Sequence, residues 1–165
     1  MIRDATLSDA GDITEIYNYY IDETAVTFET AIVSEKVMKQ RIRKVFAEGL
    51  PWLVATEGND KIVGYAYSTP WRERSAYRFT VEISVYLSDQ SMGKGIGTAL
   101  YQRLFEKLKR KGVHSVIGGI TLPNPASIAL HEKFSMKQVA HFKQVGFKFD
   151  QWQDVGYWQV ITGPE

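Results

Sequence analysis

Residues 79–87, "FTVEISVYL", form a β-rich run. Residues 98–112, "TALYQRLFEKLKRKG", carry Leu100, Leu104, Phe105 and Leu108 at helical spacing, with basic residues near the end and Gly112 as a stop. Between the two runs stand three glycines at alternate positions, Gly93, Gly95 and Gly97. A strand that feeds a helix through such a loop commits this stretch to an α/β arrangement. Alternating glycines also remove the side chains that keep backbone away from a ligand, and they admit conformations closed to other residues. Because the loop enters a helix near Gly97 and Thr98, the unpaired first-turn amides and the helix dipole attract negative charge. A phosphate-bearing ligand is the natural guest, although a plain turn with a helix cap would use the same residues.

The spacing narrows the guest. A dinucleotide fingerprint starting at Gly93 needs glycine where Thr98 stands, and one starting at Gly95 needs it at Leu100. A Walker A loop needs Ser or Thr after Gly93-Lys94 and glycine five residues before it, where the chain has Gly95 and Ser88. Both nucleotide motifs fail.

The remaining chain completes a layered domain. Ile13, Ile16, Tyr17 and Tyr20 recur at helical spacing behind Ser8 and Asp9, two able N-caps. Val37, Met38, Ile42, Val45 and Phe46 repeat the pattern, with Ser34 as cap and Gly49 at the end. "WLVAT" and "KIVGYAYST" flank the turn residues "EGND" and predict an antiparallel hairpin. "SVIGGI" reads as a buried strand, Asn124 and Pro125 open a further helix in the preferred order, and "QVAHFKQVGFKF" and "WQDVGYWQVIT" read as two closing strands. The order predicts a three-layer α/β/α fold around a mixed, largely antiparallel sheet. With no repeat, low-complexity tract or linker, residues 1–165 are expected to form one domain.

Composition removes several function classes. Lys plus Arg (20) and Asp plus Glu (19) nearly cancel, so no global field is available to hold a nucleic acid. No targeting segment or long apolar span is evident, which reads as a cytoplasmic protein with no membrane partner. With no cysteine there is no disulfide, thiolate ligand or Cys nucleophile, and His114, His131 and His141 lack metal-ligand spacing, so no metal is expected.

Taken together, "RERSAYRFTVEISVY", "GKGIG", "NPASIALHEKF" and "VGFKFDQWQDVGYWQ" resemble the GNAT superfamily of acyl-CoA-dependent N-acetyltransferases, in its phosphinothricin and methionine sulfoximine acetyltransferase branch. The resemblance covers nearly the whole chain. It implies acetyl-CoA as cosubstrate, with Val85, Tyr86 and Leu87 binding the pantetheine arm and thioester by main-chain hydrogen bonds. Gly93, Lys94, Gly95, Ile96, Gly97 and Thr98 would hold the pyrophosphate. Asn124 and Ser127 match polar positions near the pantetheine, where capping is their alternative role, and Lys133 would meet the nucleotide end. Two positions depart from the pattern: Met92 replaces a Gln or Arg at the head of the loop, and Ser135-Met136 replaces Gly-Phe after "LHEKF". A non-glycine left-handed helix end costs roughly 1 kcal/mol.

The acceptor side is read from charge. Glu82 interrupts a strand otherwise fit for burial, and a partly desolvated carboxylate there would have a raised pKa and could take the ammonium proton; a structural pair with a nearby Arg is the alternative. The resemblance favours Glu82 as the base. Arg72 and Arg74 lie two apart, which in an extended segment turns both to one side to hold a carboxylate or phosphinate. Ser75, Ala76 and Tyr77 fall where the family contacts substrate, and Phe28 and Glu29 are expected to form a wall of the same pocket. His131 reads as packing rather than catalysis. Phe147, Phe149 and Trp152, with Lys148 and Asp154, match residues that help form a homodimer in this branch.

The leading expectation is acetyl transfer to the α-amine of a small amino acid or analogue, by direct attack in a ternary complex, since no Cys is available to carry the acetyl group. The rivals are a peptide or protein N-acetyltransferase and a noncatalytic acyl-CoA-binding sensor.

Overall fold

The first helix, α1 (Ala10–Glu23), is entered through a single 3-10 turn, Leu7–Asp9, and not through a cap at Ser8 or Asp9. The Asp9 carboxylate instead accepts the Thr6 main-chain N–H at 2.7 Å and the forked guanidinium of Arg3 at 2.8 and 2.9 Å. That pairing holds its pKa below the ordinary aspartate value, with Arg3 as the main cause. The second helix, α2 (Glu35–Ala47), starts where expected: Ser34 Oγ accepts the Val37 N–H at 3.2 Å, and Gly49 follows its end at φ +69°.

A computed structural model describes residues 1–164; Glu165, the last residue of the expected domain, lies outside them. After β1 (Ile2–Asp4) and the two helices come β2 (Trp52–Glu57), β3 (Lys61–Pro70) and β4 (Thr80–Leu87). Then follow α3 (Ile96–Arg110), β5 (Ser115–Leu122), α4 (Pro125–Lys133), β6 (Lys137–Lys148) and β7 (Gln151–Ile161). The strands form one seven-stranded sheet in the order β1-β2-β3-β4-β5-β7-β6, antiparallel except for the β4–β5 pair.

Each face of the sheet carries its own core. Ile13, Ile21, Met38 and Ile42 of α1 and α2 pack on Trp52, Val54 and Tyr65. On the other face Leu100, Tyr101, Leu104 and Leu108 of α3 pack on Leu53, Ala66, Val81, Ile83 and Val116. Each buried leucine contributes about 2 kcal/mol. These are the three layers expected. The period of two along β4 sends Val81 and Ile83 toward α3 and leaves Glu82, Ser84 and Tyr86 for the α1/α2 face, where the Tyr86 ring meets Tyr17 and Tyr20.

Candidate active site

The two halves of the sheet are joined by a short seam. β4 pairs with β5 only at Thr80, Val81 and Glu82, opposite Ser115, Val116 and Ile117. Beyond Glu82, β4 continues with β3 as far as Leu87, while β5 continues with β7 as far as Leu122. The sheet therefore forks, and Glu82 is the last paired residue at its apex.

The register decides which backbone groups face the fork. Ser88 N–H donates to the Val63 carbonyl and Trp71 N–H to the Thr80 carbonyl, so even-numbered residues of β4 exchange hydrogen bonds with β3. The peptide groups of Ile83, Val85 and Leu87 are turned to the fork. Of the three expected main-chain contacts, Val85 has its groups on the fork side and Tyr86 turns its own toward β3. Leu87 faces the fork, but the Tyr20 hydroxyl donates to its carbonyl at 2.6 Å. A cavity of about 50 Å³ lies in the fork, lined by Val26, Ser84, Val85, Gly119, Thr121, Asn124, Ser127 and His131 among others.

At the open end of β4 the glycine loop curls into α3, which begins at Ile96. Gly93 and Gly95 adopt φ of +74° and +79°, with Gly95 as the N-cap. Gly97 is different: it is helical, and an added Cβ would meet Leu130 and Leu87 at ordinary contact distances of 3.4 and 3.7 Å. The geometry thus demands glycine at two of the three alternating positions. The first intrahelical bond is Ala99 N–H to the Gly95 carbonyl, and among the described residues no group accepts from the N–H of Gly93, Lys94, Gly95, Ile96, Gly97 or Thr98. This row of donors at a helix N-terminus is an anion site. Lys133 adds a positive charge beside it, its Nζ 3.4 Å from Thr98 Oγ1. Met92 is half exposed and brings no polar group.

On the far arm, Asn124 caps α4, its Oδ1 accepting the Ser127 N–H at 3.1 Å while its amide NH2 has no acceptor among the described residues. His131 is 3% exposed. Its Nδ1–H donates to the Ser127 carbonyl at 2.7 Å, which leaves Nε2 to accept from the Tyr101 hydroxyl at 3.1 Å. Burial lowers its pKa and keeps it neutral, so it packs and fixes α4 as expected. The helix ends at Ser135 with φ +63°, the left-handed conformation that glycine would adopt without strain.

The residues expected on the acceptor side gather less tightly. Arg72 and Arg74 do not lie in an extended segment: the chain bends there into a single 3-10 turn, Ser75–Tyr77, so alternation does not set their direction. Both still line one large cavity, about 1170 Å³, together with Ser75, Tyr77, Arg41, Lys44, Tyr67 and Thr69. Arg72 stacks over the Trp71 ring at 4.7 Å. Ala76, Phe28, Glu29 and Glu82 are not part of that lining. Glu29 sits behind that lining, accepting both arms of Arg41 at 2.8 and 2.5 Å and the Tyr17 hydroxyl. Arg41 holds its pKa below the ordinary glutamate value, and burial pushes Tyr17 up to about 12.

Glu82 sits between the two cavities. Its antiparallel partner Thr69 lines the large one, and its strand neighbours Ile83 and Ser84 line the small one. It is half-buried, and among the described residues no Lys or Arg nitrogen lies within 4.0 Å of it. The structural ion pair is therefore absent there. Burial raises its pKa above the ordinary glutamate value, against an opposing pull from Arg72. A partly desolvated, unpaired carboxylate at a cleft apex can accept a proton from a bound amine. Sequence reading missed Arg41 and Tyr101, gave Tyr20 only to a helix face, and placed Lys148 with the dimer residues, whereas its ammonium is buried against the Thr27 carbonyl of the same chain. These partners lie 12 to 121 positions away and leave no local signal.

Residues 2–156 match the family model described as an acetyltransferase (GNAT) domain. The chain is 35% identical over 158 residues to a phosphinothricin N-acetyltransferase of Streptomyces viridochromogenes, covering 96% of this chain and 85% of that protein. It is 37% identical over 161 residues to an L-methionine sulfoximine/L-methionine sulfone acetyltransferase of Salmonella typhimurium, covering 96% and 92%. Its fold is similar to that of a GNAT superfamily phosphinothricin acetyltransferase from Sinorhizobium meliloti, solved in complex with AcCoA. There the TM-score is 0.96 at 37% identity, over 99% of this chain and 88% of that one. The forked sheet, the amide-lined helix start and these likenesses agree: the chain belongs to the GNAT acetyltransferase family and is an acyl-CoA-dependent N-acetyltransferase.

Proposed function

We propose that this enzyme transfers the acetyl group of acetyl-CoA to the α-amine of a small anionic amino acid or analogue of the methionine sulfoximine, methionine sulfone or phosphinothricin type. The observation that carries the proposal is the position of Glu82 at the apex of the fork, where its neighbours Val81 and Ile83 line the two cavities, with its carboxylate unpaired. The pyrophosphate of acetyl-CoA takes the free amides from Gly93 to Thr98, with Lys133 alongside, and the pantetheine arm runs along the unpaired edge of β4 at Val85 toward Asn124 and Ser127. Arg72 and Arg74 hold the acceptor's carboxylate or phosphinate from the large cavity. Ser75 and Tyr77 of the lining frame it, and Glu29 reaches its edge through Arg41.

In the ternary complex Glu82 takes the ammonium proton, directly or through one water. The freed amine attacks the thioester carbon, and the tetrahedral intermediate collapses to the amide as the C–S bond breaks, the second nitrogen proton passing through water to the departing CoA sulfur. The continuous sheet supports one domain spanning the chain. A homodimer is supported by the exposed apolar strip of Phe142, Val145, Phe147, Phe149 and Trp152 on the β6–β7 hairpin, which water disfavours. A cytoplasmic setting accords with the chain's use of acetyl-CoA; among the described residues no helix is long and apolar enough to cross a membrane.

The size and openness of the large cavity favour a second reading, peptide or protein N-termini as acceptors. A panel of free amino acids, their sulfoximine, sulfone and phosphinate analogues, and N-terminal peptides, assayed by CoA release, separates the readings. Turnover of the free anionic analogues, lost when their carboxylate is amidated, is expected. Turnover confined to peptides contradicts the proposal, and binding of acetyl-CoA without turnover of any amine identifies a sensor.

A further inference from the structure

Lys148 ends β6 with only 4% exposure, a burial that an ammonium tolerates only when it is bonded. Its Nζ donates at 2.9 Å to the main-chain carbonyl of Thr27, 121 positions earlier in the chain. The acidic groups that face it are Asp22 and Glu29, and the Phe149 ring lies 5.2 Å away. The acetyl-transfer chemistry does not use this charge.

Its partner lies in the connection between α1 and α2. The Thr27 hydroxyl is hydrogen-bonded to the Tyr17 hydroxyl at 2.9 Å, Tyr17 donates to Glu29, and Glu29 is held by Arg41 of α2. Next to Thr27, the Phe28 ring packs against Gly146 of β6 so closely that an added Cβ would fall 2.4 Å from it. β6 thus grips the connection at two adjacent residues, while Val26 on the other side of Thr27 lines the cavity in the fork.

We propose that Lys148 is a positioning residue for the transfer site: its buried ammonium clamps the α1–α2 connection at Thr27 and keeps Val26 in place as a roof over the cavity in the fork, where acceptor and thioester meet. The clamp rests on the reading of the fork as the transfer site. A lost charge-assisted hydrogen bond frees this roof without touching the amide-lined loop some distance away.

The test compares the intact wild-type protein with Lys148→Met, Lys148→Arg and Gly146→Ala, using L-methionine sulfone and acetyl-CoA. Amide hydrogen exchange is followed by mass spectrometry. In Lys148→Met, exchange over residues 24–31 is expected to accelerate and the acceptor KM to rise, each roughly tenfold, while the acetyl-CoA KM and exchange in α3 change by less than about twofold. Lys148→Arg, which keeps charge and donors, restores most of both. Gly146→Ala, which displaces Phe28 and leaves the ammonium alone, gives the same split. Unchanged exchange over 24–31, or equal rises in the two KM values, overturns the clamp. Should Lys148→Met fail to fold, Lys148→Gln is read by the same criteria. If the wild type acetylates no amino acid, the acceptor reading has failed, and exchange alone decides Lys148: lost protection at 24–31 sustains the clamp and retained protection overturns it.

Discussion

The two sides of the fork are made of different material. The glycine-loop side is backbone: free amides from Gly93 to Thr98, the unpaired peptide groups of Val85, and the cap at Asn124. The side proposed for the acceptor is side chains on bends: Arg72, Arg74, Ser75 and Tyr77, facing Arg41 and Lys44 of α2. A site made of peptide groups binds what every relative of a fold shares. A site made of exposed side chains can be refitted without disturbing the sheet, so on the proposed reading acceptor choice is set there.

The contrast breaks most sharply at Gly95. Gly95→Glu forces a side chain into φ +79° and brings a negative charge to the amide row, so the acetyl-CoA KM is expected to rise roughly 100-fold with little change in acceptor KM. Equal effects on both substrates would erase the division. Next in size, Arg72→Ala should raise the acceptor KM by about tenfold or more while steady-state kinetics leave acetyl-CoA within about twofold, and Arg74→Ala should do less if only one arginine forks the carboxylate.

The smallest effect lies outside both sides. Asp9 has a folded pKa below its unfolded value, so the stability it contributes is fully present above the ordinary aspartate pKa and is lost as pH falls through the folded one. Asp9→Asn is expected to cost about 1 kcal/mol at neutral pH by denaturant unfolding, with the difference from wild type shrinking in acid and neither KM moving. A shift in either KM would mean that the α1 entry communicates with the fork.

The same division explains what the sequence could disclose. Ser34, Gly49, Asn124-Pro125 and the loop glycines act on their own neighbours within a few residues, so each could be read locally. The layers followed from periodicity. What was hidden depends on distant partners: Tyr20 on the Leu87 carbonyl, Lys148 on Thr27, and the register that turns Val85 to the fork and Tyr86 away from it. Local reading also erred where a competing contact won. Asp9 caps the 3-10 turn at Thr6 and pairs with Arg3 instead of capping α1, Glu29 is taken up by Arg41, which lines the pocket in its place, and the turn at Ser75–Tyr77 breaks the extended segment expected around Arg72 and Arg74.

The central claim is that Glu82, held unpaired at the apex, takes the proton of the acceptor amine. It is tested most directly by the pH profile of kcat/KM for the acceptor at saturating acetyl-CoA, wild type against Glu82→Gln. A raised carboxylate must be ionised to act as base, so wild-type activity should climb with pH through a limb lying above the ordinary glutamate pKa. Glu82→Gln should lose that limb and fall roughly 100-fold or more. Profiles that superimpose in height and shape over roughly pH 6 to 9 would contradict the account.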